Sequence, residues 1–125
     1  MKTFKLKMLK IMSQQQKKYV HTEVPLIDGL IINREDDHNH WLIEAYIDIE
    51  YLEFFKQLHE KKEETIVQVK ITKESNEPAF FITSIVGVNE IGESSMNVLL
   101  LGTIVEENDQ SVGTTLSSLI NKEQK

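Results

Sequence analysis

Hydrophobic and polar residues alternate along most of this chain. In residues 3–7, TFKLK, Phe4 and Leu6 alternate with Lys5 and Lys7, the period of a strand with one buried face and one wet face. Met8 keeps that register, but Leu9 and Ile11 fall in the opposite one, which predicts a bulge near 8–9. The polar run SQQQKK, 13–18, punctuates the chain, and residues 19–24 read as a strand again. In PLIDGLIIN, Asp28–Gly29 between apolar residues fits a type I′ hairpin turn. It equally fits a glycine bulge within one longer strand, and the pattern does not separate the two. HWLIEAYI, 40–47, alternates with Trp41, Ile43, Ala45 and Ile47 on one face and Leu42, Glu44 and Tyr46 on the other.

The period then changes. Over 48–62, Ile49, Leu52, Phe55 and Leu58 recur every third or fourth position, which predicts an amphipathic helix. Asp48 suits its N-cap, Glu50 and Glu53 its positive end, and Lys61 and Lys62 its negative end. Strand patterns return in 64–73, where Val67, Val69 and Ile71 alternate with polar residues, and in 79–91 and 96–105. AFFI at the start of 79–91 is apolar on both parities, so burial on both faces is expected there. SNEP, 75–78, and GESS, 92–95, are turns. Over 111–122, Val112, Leu116, Leu119 and Ile120 have the spacing of a short amphipathic helix, which Gly113 and five Ser/Thr residues weaken.

The predicted order is β–β–β–α–β–β–β–α. Strands in consecutive runs argue against a doubly wound sheet and for an α+β domain with six or more mainly antiparallel strands. Closing such a sheet into a barrel removes its edges. The expected organisation is a single domain over 1–125. Its barrel core spans about 3–105, helix 48–62 is inserted, and a C-terminal helix over about 111–122 pairs with the first.

A length of 125 residues, 40% of them hydrophobic, suffices for one ordinary core without a metal or disulfide staple. The chain has no cysteine, which excludes disulfides, thiolate metal sites and a catalytic thiol. No apolar run approaches the length that spans a bilayer. Lysines interrupt the apolar positions of MKTFKLKMLKIM and no small-residue cleavage site follows, so a cytoplasmic protein is expected. The net charge of −6 is unevenly spread: residues 1–18 hold six lysines and no acid, and the remainder carries −12. Lys5, Lys7 and Lys10 thus form a candidate contact surface for an acidic partner. A single arginine, Arg34, and an acidic body disfavour nucleic acid.

The densest chemistry lies in NREDDHNHW, 33–41. His38 and His40, two apart, could present two imidazoles to a metal, with Asp36 supplying an oxygen. His21 and His59 are far off in sequence, so a full ligand set is wanting, and the plainer reading is the wet connection of a hairpin, about 34–40. Glu44, mid-strand between Leu42 and Tyr46, is a candidate for a shifted carboxylate, although a solvent-facing acid explains it as well. No nucleophile elbow, phosphate-binding loop or dinucleotide fingerprint occurs. No catalytic residue and no cofactor are therefore expected.

MKTFKLKMLKIM, PLIDGLIIN, HWLIEAYI and VQVKITKESNEPA together resemble the YwpF-like proteins, small bacterial proteins, over nearly the whole chain. The resemblance implies a β-barrel core with a helix pair, similar to the tube-forming barrels of type VI secretion. It implies no activity, cofactor or catalytic residue. The expectation is a non-enzymatic barrel module that acts through protein contacts, including contacts with copies of itself. The alternatives are a barrel that binds a small ligand or metal and, behind it, a nucleic-acid binder.

Overall fold

The computed structural model describes residues 2–15 and 18–105. β1 (Lys2–Gln15) is the strand on which the rest is organised. Its register shifts between Leu6 and Met8, close to the bulge that the sequence predicts. Phe4 and Leu6 point inward before the shift, and Leu9 and Ile11 after it. The irregularity therefore keeps both apolar sets inside while Lys5, Lys7 and Lys10 all stay outside.

β2 (Lys18–Glu23) and β3 (Asp28–Asn33) lie one after the other along the same edge of β1. Asp28–Gly29 is not a hairpin turn. Gly29 opens β3 because β1 crosses close to it: a Cβ there would lie 2.9 Å from that of Leu6. β4 (Trp41–Asp48) pairs antiparallel with β3. A 3₁₀ turn (Ile49–Tyr51) and α1 (Leu52–Lys61) then lead to β5 (Thr65–Ile71), β6 (Ala79–Ile91) and β7 (Ser95–Ile104).

The sheet order is β2-β1-β3-β4-β7-β6-β5, and β1 also pairs with β5. With β2 outside the ring, six strands close an antiparallel barrel. They are heavily staggered. Lys2 lies beside Asn33 and Asn33 beside Trp41. The other way round, Trp41 lies beside Gly102, Gly102 beside Thr83, and Thr83 beside Thr65, next to Ile66, which pairs with Met12. The circuit returns to β1 near its far end, which is the tilt that barrel closure demands. Opposite Ile82 and Thr83 of β6, only glycine fits on β7. A Cβ on Gly102 would run into the carbonyl of Ile82 and come within 2.7 Å of the Thr83 Cα.

Inward residues fill the barrel. Ile31, Ile43, Val67, Phe81, Val98 and Leu100 are fully buried. β6 is not buried on both faces at its start: Phe81 is buried, whereas Phe80 packs outside with Ile66, Val105 and the buried Met12. The helix differs from one continuous run over 48–62. The Asp48 carboxylate accepts from the Glu50 N–H at 2.8 Å and tightens the first turn to 3₁₀. Lys62 ends α1 in the left-handed region at φ 55°. Phe55 is fully buried, with Leu52 and Leu58 beside it against the core. The second helix expected over 111–122 lies outside the described residues. Among the described residues α1 is the one α-helix, and no helix is long and apolar enough to cross a membrane.

Candidate functional site: the outer barrel face

The 34–40 segment joins β3 to β4 as the hairpin connection that its polarity predicts. One carboxylate organises it. Asp36 Oδ1 accepts from the backbone N–H of His38 at 3.1 Å and of His40 at 2.9 Å. Its Oδ2 lies 3.2 Å from His40 Nδ1 and 3.9 Å from Arg34 Nε. The His40 N–H bond above all, helped by that of His38 and by the His40 imidazole, holds the Asp36 carboxyl below its ordinary range, although desolvation works the other way. Glu35 and Asn39 take positive φ of 54° and 55°. The rings of His38 and His40 sit 5.6 Å apart and tilted. Asp36, His38 and His40 are thus neighbours. Among the described residues, however, no three His, Cys, Asp or Glu side chains are grouped so as to hold a metal ion.

Lys5 and Lys7 are exposed on the outer side of β1, and Lys10 is half-buried further along, between Glu23 of β2 and Gln68 of β5. Glu44 points outward from β4 and is half-buried. It accepts from the Tyr46 hydroxyl at 3.1 Å and from Asn97 Nδ2 at 3.5 Å. The hydrogen bond and charge of Glu44 raise the Tyr46 phenol above its usual value, with desolvation and Asp28 adding to the effect.

Sequence reading missed the apolar character of the outside of the barrel. On the outer face Ile32, Leu42 and Leu101 form one cross-strand row over β3, β4 and β7, and Leu30, Glu44 and Leu99 form the next. All six are partly exposed. Each strand alone reads as apolar-in and mixed-out, and the signal was the leucine at both parities of VLLLG, 98–102. At the β6 edge of this face Val86 is 50% exposed. It stands between an open groove of about 260 Å³ beside His40 and Glu64 and another of about 390 Å³ beside His59 and Lys62.

The family model described as "YwpF-like protein" matches residues 2–124. The chain belongs to the YwpF-like family. Within it, the chain is similar to "Uncharacterized protein YwpF" of Bacillus subtilis (strain 168), 43% identical over 122 residues, covering 98% of this chain and 89% of that protein. A crystal structure of a hypothetical protein from Staphylococcus aureus has the same fold, with a TM-score of 0.74 and 28% identity. The match covers 98% of this chain and 82% of that one. The antiparallel barrel with α1 packed on it is therefore shared with a solved protein, and the outer rows of β3, β4 and β7 belong to the matched region.

Proposed function

We propose that this YwpF-like chain is a non-enzymatic, cytoplasmic module that works by holding another protein surface against the outside of its barrel. The observation that carries the reading is the distribution of apolar side chains. The barrel interior is lined with fully buried apolar residues. Meanwhile Ile32, Leu42, Leu99 and Leu101 remain partly exposed in adjoining rows. Contiguous exposed apolar surface is the usual mark of a contact site; here Lys5 lies at its margin beside Leu30, and Glu44 sits within it between Leu30 and Leu99. The resemblance to tube-forming secretion barrels that the sequence implies would add, by analogy of fold alone, the idea that the surface meets copies of the same chain.

The test is site-specific photocrosslinking in the native cells. A photoreactive residue at position 32 or 101 of the full chain is expected to give a discrete crosslinked product, identified by mass spectrometry. The same residue at position 61, on the helix, serves as the comparison. Crosslinks absent at 32 and 101, or equally strong at 61, would sink this reading.

A further inference from the structure

We propose that the protein held by this barrel is acidic where it touches, and that its carboxylates lodge among Lys5, Lys7 and Lys70 on the outer face of β1 and β5. The inference rests on the contact surface proposed above and gives the chemistry of what that surface meets.

β1 alone carries Lys5, Lys7 and Lys10 outward, and closure of the barrel adds a fourth lysine from far along the chain. β5 lies against β1 so that Lys70 stands opposite Met8. Both side chains are on the outer face, because Val69 and Ile71 of β5 pack inward with Leu6 and Leu9. Lys70 is the diagonal neighbour of Lys10, whose partner across the strands is Gln68, a spacing of about 7–8 Å. Lys7 has no partner on β5, since the register shifts between Leu6 and Met8, and it is exposed there. Lys5 follows on the same strand, its carbonyl accepting from the Thr72 N–H at 2.8 Å. Four lysines therefore gather within a few residues of the half-buried Met8.

Acids stand at the two ends of this cluster. Glu35 lies 3.9 Å from the Nζ of Lys2, and Glu23 stands across from Lys10. Between them, Lys5, Lys7 and Lys70 make no ion pair among the described residues. Like charges side by side on one face of a sheet repel, here in a chain with twenty acidic and fourteen basic residues. An anionic partner relieves that repulsion, and the field of the lysines steers it in.

The surroundings select an acidic protein over a nucleic acid. β5 has no aromatic residue, and the one on β1, Phe4, points inward, so neither strand offers a ring for a base to stack on. The single arginine, Arg34, stands in the 34–40 loop with Asp36 Oδ2 3.9 Å from its Nε. The face thus has lysines only, without the fork that grips phosphate. On its other side Lys5 stands beside Leu30, which belongs to the outer apolar rows. A protein segment that mixes carboxylates with apolar side chains matches both halves of this surface.

Fluorescence anisotropy on the full chain tests this, with a labelled peptide of glutamates interrupted by leucines as the probe. The peptide is expected to bind at low salt and to weaken as salt rises, and an oligothymidylate of equal charge to bind less tightly. Lys7→Glu with Lys70→Glu is expected to raise the peptide's dissociation constant about tenfold or more. Lys56→Glu with Lys61→Glu puts the same change of net charge on exposed positions of α1. That pair is expected to alter binding less than about twofold. Lys7→Gln with Lys70→Gln, a milder change, is expected to fall between the two, with circular dichroism close to the parent. Absence of peptide binding at low salt overturns the proposal, as does equal weakening by the two glutamate pairs. Tighter binding of the oligothymidylate overturns it in favour of nucleic acid. Crosslinks from position 32 or 101 that persist unchanged in the Lys7→Glu, Lys70→Glu chain overturn the acidic partner and leave the contact reading standing. Peptide binding that needs Lys7 and Lys70, in a chain without those crosslinks, supports the lysine site and sinks the apolar contact.

Discussion

Asp36 engages two backbone amides, one imidazole and one guanidinium from a single carboxylate. The amide of His40, above all, holds its ionised form in place, so its pKa in the folded chain lies below the ordinary value. The sign follows. The carboxylate's contribution to stability is fully present above the unfolded pKa, about 3.9. It falls away as pH drops through that value to the folded one, and below both it is gone. An NMR titration of the Asp36 carboxyl is expected to show a midpoint below that of an exposed aspartate, and Asp36→Ala to speed hydrogen exchange at the His38 and His40 amides. An ordinary midpoint with unchanged exchange would mean that Asp36 does not hold the loop. The same contact engages Nδ1 of His40, one of the two nitrogens which that ring offers a metal. In the sequence the density of NREDDHNHW was legible, and so was its place in a hairpin. That Asp36 folds back on amides two and four residues ahead was not, because several acids and amides in that run could do so.

At the scale of elements, the helix shows what a sequence can and cannot declare. Asp48 as cap and the apolar stripe through Phe55 were readable, because capping and period are local. The 3₁₀ opening was not, because it depends on how far the Asp48 side chain pulls the Glu50 amide back. Asp48→Ala is expected to cost about 0.5–2 kcal/mol, the range for lost N-caps. Phe55→Ala should cost about 3–5 kcal/mol through the cavity it leaves. Urea unfolding would measure both, and similar costs would contradict the burial of Phe55. Asp28–Gly29 is the converse case. Its dipeptide looks like a turn, yet Gly29 is required by Leu6 of another strand, a contact that no local pattern announces. The outer rows of β3, β4 and β7 were hidden for the same reason: they exist only across strands.

On the scale of the whole molecule, a closed antiparallel barrel was legible from strands in consecutive runs and from the cost of leaving edges open. Its order was not, since β4 neighbours β7, and α1 bridges from β4 to β5 past β7 and β6. Nor could the stagger be foreseen. It is written in the registers, and Gly102, whose missing side chain admits the backbone of Ile82 and Thr83, answers to a contact across strands.

That closure has a consequence in time. β1 and β5 pair residue by residue, Leu9 with Val69 and Ile11 with Val67, though sixty and fifty-six positions separate the partners along the chain. β1 leaves the ribosome long before β5 exists, and until then one of its edges has no ladder to join. Pairing so remote in sequence demands a large loop-closure entropy before it returns any contact, so folding should be slow for a domain of this size, on the order of milliseconds to seconds. Stopped-flow refolding from urea would register this, and microsecond refolding would contradict it. In that interval β1 holds out one edge to a strand that is still being made.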